Sequence, residues 1–94
     1  MPLRFEWDPK KAATNERKHG ISFPEATTAF DDPHSITVPD PDHSAAEARW
    51  LLLGRSHRER LLVVGHTDRA ATIRIFHARL ATRREHRTYE EDLP

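Results

Sequence analysis

Cysteine is absent from the 94-residue chain, which removes a disulfide framework, a thiolate zinc site and a cysteine nucleophile together. Glycine is almost as scarce. With three glycines no Gly-rich loop can cradle a phosphate, and P-loop, Gly-x-Gly-x-x-Gly and Gly-x-Ser-x-Gly patterns are missing. No apolar run approaches the roughly 18 residues of a membrane span, and no signal-peptide pattern opens the chain. A soluble cytoplasmic protein is therefore expected, without membrane contact. Lysine does not occur after Lys18, and overall net charge is zero, with 15 basic against 15 acidic side chains.

What is present fits one small globular domain spanning 1–94. Charged residues make up 32% and hydrophobic ones 36%. Mean hydropathy is -0.79, yet aromatic and β-branched residues are clustered enough to argue against disorder. The zero net charge conceals an asymmetry. Residues 1–47 carry five Lys/Arg against nine Asp/Glu, whereas residues 48–94 carry ten Arg against six Asp/Glu. Arginine presents a planar fork suited to phosphate or carboxylate, so an anionic partner and a solvated Arg-rich surface are both compatible with this split.

Arg4-Phe5-Glu6-Trp7 alternates as a short strand. Asp8-Pro9 supplies an N-cap and a first-turn proline for a helix through His19, stopped by Gly20. Ser22 and Glu25 form a capping-box pattern for a second helix to about Phe30. His34–Val38 is a candidate strand, and Pro39–Ser44 a turn-rich loop. Arg49–Arg55, Leu61–Thr67 and Thr72–Arg79 are three strands joined by hairpin-length links, and Thr82–Glu85 caps a last helix toward Glu91. The order β-α-α-β-β-β-β-α predicts an α+β domain, an antiparallel sheet with helices on one face. Leu51, Leu53, Leu61–Val64, Ile73 and Ile75 should pack against Phe23, Phe30 and Trp7. The last helix has only Tyr89 and Leu93 as sizeable apolar groups and should contribute little to that core.

Strict alternation puts Ile73, Ile75, His77 and Arg79 on one face of the final strand, and Arg74, Phe76 and Ala78 on the other. Arg74 beside Phe76 is a phosphate-gripping group next to a stacking surface, the combination used for single-stranded RNA; a solvated arginine beside a core phenylalanine is the plainer alternative. Arg79, Arg83 and Arg84 gather where the last helix starts, against its macrodipole, which a nearby anion would explain. The seven histidines show no metal-ligand spacing. Turn chemistry accounts for Asp40, Asp42 and His43, so neither metal nor cofactor is expected. His66, in mid-strand, is either a hydrogen-bonded structural residue or an acid–base group.

Phe5-Glu6-Trp7-Asp8, Lys18-His19-Gly20-Ile21-Ser22-Phe23-Pro24-Glu25-Ala26 and Phe30-Asp31-Asp32-Pro33 resemble the opening of the BrnT toxin family. Trp50–Gly54, Ile73-Arg74-Ile75, Ala78–Glu85 and Tyr89-Glu90 resemble its second half. The resemblance implies a RelE-like fold and a ribonuclease toxin of a type II toxin–antitoxin module that inhibits translation. It also implies neutralisation by a BrnA-type ribbon-helix-helix antitoxin, in a heterotetramer of two toxins and two antitoxins. Carried onto this sequence, Gly20 and Gly54 are structural, and Arg74, Arg79, Arg83, Glu85 and Tyr89 are motif residues. The expected catalytic set is Arg74, Arg79, Glu85 and His66, with Arg55, Phe76, Arg83 and Tyr89 binding RNA. Cleavage would be metal-independent, by attack of the 2′-hydroxyl. The alternative is a non-catalytic nucleic-acid-binding or protein-interaction regulatory domain.

Overall fold

The computed structural model describes residues 3–43 and 47–94. Strand β1 (Arg4–Glu6) leads into helix α1 (Pro9–His19) and helix α2 (Phe23–Thr28), the latter prolonged by a 3-10 turn over Ala29–Asp31. Strand β2 (Ile36–Pro39) and a 3-10 turn (Pro41–His43) follow; Ser44, at the end of the expected loop, lies outside the described residues. Strands β3 (Trp50–Arg55), β4 (Leu61–Arg69) and β5 (Thr72–Leu80) form a meander, and helix α3 (Arg83–Glu91) closes the chain. The architecture is α+β.

Local chemistry explains the helix ends. The Asp8 side chain accepts from the Lys10 N–H at 2.8 Å, Pro9 occupies the first turn, and Gly20 takes φ +70° to end α1. Ser22 accepts from the Glu25 N–H at the start of α2. Thr82 and Glu85 exchange the two bonds of a capping box at α3.

Strand order across the sheet is β1-β5-β4-β3-β2. Neighbours are antiparallel except β1, which lies parallel to β5, so the sheet is mixed rather than purely antiparallel. The first strand fills the outer edge of the last, and the long excursion between them permits the parallel pairing. Helices also occupy both faces, not one. Ile21, Phe23, Ala26, Leu52, Leu62, Val64, Ile73, Ile75 and Ala78 form the main core under α1 and α2. Leu53, Leu61 and Val63 face the other way and pack with Tyr89 of α3. The reason is in β3 and β4, whose leucines and valines fill both parities, as in strands covered on both sides. Tyr89, 3% exposed, is thus a core residue, and the last helix is anchored by it.

A seam of buried polar groups joins the layers. Glu25 accepts from Ser56 and from both Nε and Nη2 of Arg60, tying α2 to the β3–β4 turn. Beyond the short reach of β1, the Asn15 amide takes over the free edge of β5. It donates to the Ala78 carbonyl at 2.8 Å and accepts from the Ala78 N–H at 3.0 Å, which fixes α1 beside that strand.

Candidate functional site

The register of β4 and β5 shifts by one residue. Gly65 pairs with His77 and His66 with Ile75, leaving Phe76 as the extra residue of a bulge. Strict alternation therefore fails in β5. Arg74, His77 and Arg79 sit opposite Thr67, Gly65 and Val63, which share one face, while Ile75 and Ala78 both point into the main core. Arg74 and Arg79 belong to the same face, separated by about 13 Å at ~3.3 Å per residue along β4. His77 stands between them.

Beside the bulge lies a surface groove of about 320 Å³ between β5 and α1, lined by Lys10, Lys11, Thr14, Asn15, Lys18, His19, Phe76 and His77. None of these side chains is acidic. Lys11, Thr14 and Lys18 fall on one helical face by their spacing. The Arg49 guanidinium lies 3.8 Å from the centre of the Phe76 ring and Lys11 Nζ lies 5.4 Å from it. Burial lowers the pKa of His77, with Arg79, His43 and His19 acting in the same direction and Asp40 opposing them. At neutral pH its imidazole is uncharged.

Arg79, at the end of β5, forms a two-pronged ion pair with Glu85, at 2.8 and 3.0 Å. Glu85 also accepts from the Thr82 N–H. The Arg79 guanidinium, helped by the Thr82 bonds, holds the Glu85 carboxyl at about 2 against the burial that opposes it. A carboxylate this weakly basic and already bonded at both oxygens orients Arg79; as a proton acceptor at neutral pH it is poor. Arg74 pairs with Glu6 on β1 at 3.7 Å. Arg83 is exposed in the first turn of α3.

The other expected residues lie elsewhere. His66 is 4% exposed on the opposite face, its ring edge-on to Phe30 at 4.9 Å and its Nδ1 3.2 Å from the Val64 carbonyl oxygen. Burial lowers its pKa. It does not meet Arg79, because residues 65 and 66 of a regular strand point apart. Tyr89 has no face open to a base: its ring is buried and its hydroxyl donates to Asp32 at 2.6 Å. Arg55 lies over that ring, 5.4 Å from its centre, at the other end of α3 from Arg79. Arg55 and Tyr89 border a separate groove with Asp32, His34 and His57. Phe76 is the one expected RNA-binding residue that lines the basic groove.

Sequence reasoning passed over His77, Lys11, Lys18, His19 and Arg49. The lysine spacing on α1 was a readable signal. The bulge was not, since one inserted residue leaves no mark on composition.

Fold and groove together define a small α+β domain with a lysine-lined cleft in which one aromatic ring, Phe76, carries cationic contacts. The family model described as "Ribonuclease toxin, BrnT, of type II toxin-antitoxin system" matches residues 7–85. The chain belongs to that family. The crystal structure of the Brucella abortus ribonuclease toxin, BrnT, has the same fold: TM-score 0.66 at 18% identity, over 86% of this chain and 99% of that one. No curated protein sequence matches this chain. Among the described residues no helix is long and apolar enough to cross a membrane.

Proposed function

We propose that this RelE-like domain is an endoribonuclease that cuts RNA by attack of a 2′-hydroxyl on the adjacent phosphorus, without a metal ion. The observation that carries this is the groove between α1 and β5, lined by three lysines and no acidic side chain, within a member of a ribonuclease-toxin family. A phosphodiester in that groove develops extra negative charge as the attacking oxygen bonds to phosphorus. Preorganised cations aimed at that charge are the largest single source of catalysis in such reactions. Arg79 is held for this role by Glu85, and Arg74 by Glu6. Phe76, stacked with Arg49, supports a base beside the scissile phosphate. Arg83 extends the path of the strand along α3, and Arg55 and Tyr89 lie in a separate groove toward the other end of that helix.

The cleavage arrests translation in the cytoplasm until a BrnA-type ribbon-helix-helix antitoxin binds, two toxins to two antitoxins. The test is incubation of the purified chain with a defined RNA, with and without EDTA, and mass analysis of the ends. Fragments ending in 2′,3′-cyclic phosphate, formed equally in chelator, are expected. Loss of cleavage in EDTA would overturn the metal-free scheme. RNA binding with steep salt dependence and no fragments would establish the non-catalytic alternative instead. Arg79→Ala should lower cleavage by about 10²-fold or more.

A further inference from the structure

Cleavage of this kind needs a proton removed from the attacking oxygen and another delivered to the leaving one. Glu85 is committed to Arg79, and His66 is on the far face. Two other histidines meet beside the groove, His77 in its lining and His43 against the His77 ring. The rings of His77 and His43 are 6.4 Å apart, with planes inclined at 57°.

We propose that His77 and His43 are the acid–base pair of the groove, His77 accepting the 2′-hydroxyl proton and His43 protonating the leaving 5′-oxygen. The inference rests on the ribonuclease reading and assigns it two catalytic residues.

Gly65 is the first support. A Cβ at this position would come 2.2 Å from His77 Nε2 and within 2.8 Å of Cδ2 and Cε1, so the imidazole lies directly on the bare backbone. Gly65 has no positive φ; among the described glycines only Gly20 does. Space for this ring in its present position, and not backbone freedom, is what the missing side chain provides there. Second, among the described residues the half-buried His77 ring makes no hydrogen bond, whereas a structural strand histidine normally spends its nitrogens. Burial is the main cause that lowers the His77 pKa; Asp40 from the turn after β2 opposes it, and Arg79 from its own strand, His43 from that turn and His19 from the end of α1 act with it. Lys11 and Lys18 line the same groove from α1.

His43 is held differently. Its Nδ1 is 3.0 Å from the carboxylate of Asp40, itself 5% exposed, while the His43 side chain is 60% exposed. The buried carboxylate fixes the ring's orientation and leaves Nε2 for substrate, as an orienting acid does in other acid–base pairs. A phosphodiester between the rings sends its attacking oxygen toward one and its leaving oxygen toward the other. The 2′-O–H bond breaks to His77 as the 2′-O–P bond forms. The P–O5′ bond breaks as His43 gives its proton to O5′. The products are a 2′,3′-cyclic phosphate and a 5′-hydroxyl, and exchange with water returns both rings to their starting states.

The experiment compares the full-length wild type with His77→Gln and His43→Gln on one RNA oligomer, its uncleavable 2′-deoxy analogue, and an oligomer with 5′-sulfur as leaving atom. Each variant should cleave about 10²–10⁴-fold more slowly than wild type while binding the analogue within about threefold, which also certifies that it is folded. Sulfur leaves without a proton, so it should restore His43→Gln to within about tenfold of wild type and leave His77→Gln impaired. The acid limb of the wild-type pH–rate profile should vanish in His77→Gln. Gly65→Ala, which lifts the ring from its place, should lose rate without losing affinity. Wild-type cleavage with either histidine variant equally fast overturns the pair. Sulfur rescue of neither variant, or of both, overturns the assignment of acid and base. A wild type that binds but yields no fragments overturns the ribonuclease reading itself.

Discussion

At the scale of single residues, Glu85 shows how one carboxylate serves helix and site at once. It closes the capping box of α3 and receives both prongs of Arg79. Its pKa in the folded protein is about 2, against 4.5 for the free group, so it stays ionised through the acid range. A depressed carboxylate contributes stability that is fully present above the unfolded-state value and is lost as pH falls through the folded one. The pair is about a third exposed, so solvent screening leaves about 1–2 kcal/mol of that contribution. Glu85→Gln should therefore destabilise the chain by this amount at pH 7, with the difference shrinking steadily from pH 4.5 toward pH 2. Urea unfolding of both proteins at several pH values measures it. A constant difference across that range would remove the ion pair from the account. Much of this was readable in advance: Thr82 and Glu85 have capping-box spacing, and Arg79 stands six residues from Glu85. The destination of His66 was not, because a mid-strand histidine carries no sign of which face it takes.

At the scale of elements, helix limits were legible because caps are local chemistry: Asp8-Pro9, Gly20, Ser22 and Thr82 act within four residues of themselves. The faces of strands were legible only while alternation held. Phe76 breaks it, and with it the expected separation of Arg74 from Arg79. The side taken by α3 was encoded more faintly, in the double parity of Leu51–Leu53 and Leu61–Val64. The seam between α2 and the β3–β4 turn was invisible, since Glu25 and Arg60 are 35 residues apart. Its two partners are unequal. Glu25 is 3% exposed, whereas the Arg60 side chain is 30% exposed and keeps access to water. Removing the arginine strands a buried carboxylate; neutralising the carboxylate strands nothing comparable. Arg60→Met should cost about 3 kcal/mol and Glu25→Gln about 1 kcal/mol. Thermal unfolding of the two variants tests the order. Equal losses would mean that the seam is no more than a surface ion pair.

At the scale of the whole molecule, the division of the sequence into an acidic first half and a basic second half proves to be a poor map of the surface. The groove takes Lys10, Lys11 and Lys18 from the first half, and its neighbours Arg49 and Arg79 from the second. Meanwhile Glu6, Glu25, Glu47 and Glu85 neutralise arginines that composition would have counted as free: Arg74, Arg60, Arg69 and Arg79. Lys10, Lys11 and Lys18 enter no ion pair among the described residues, so their charge faces the groove uncompensated. Each phosphate that such a cation neutralises releases a counterion, and on single strands this lowers the slope of log K against log salt by about 0.7. Replacing Lys11 and Lys18 by alanine should therefore reduce that slope by about 1.4 and weaken binding of the uncleavable analogue most at low salt. Arg87→Ala, at an exposed position in the middle of α3, should change the slope far less. Titrations at several salt concentrations separate the two cases. A slope that responds as strongly to Arg87 as to the lysine pair would mean that RNA is held by diffuse charge and not in the groove beside β5.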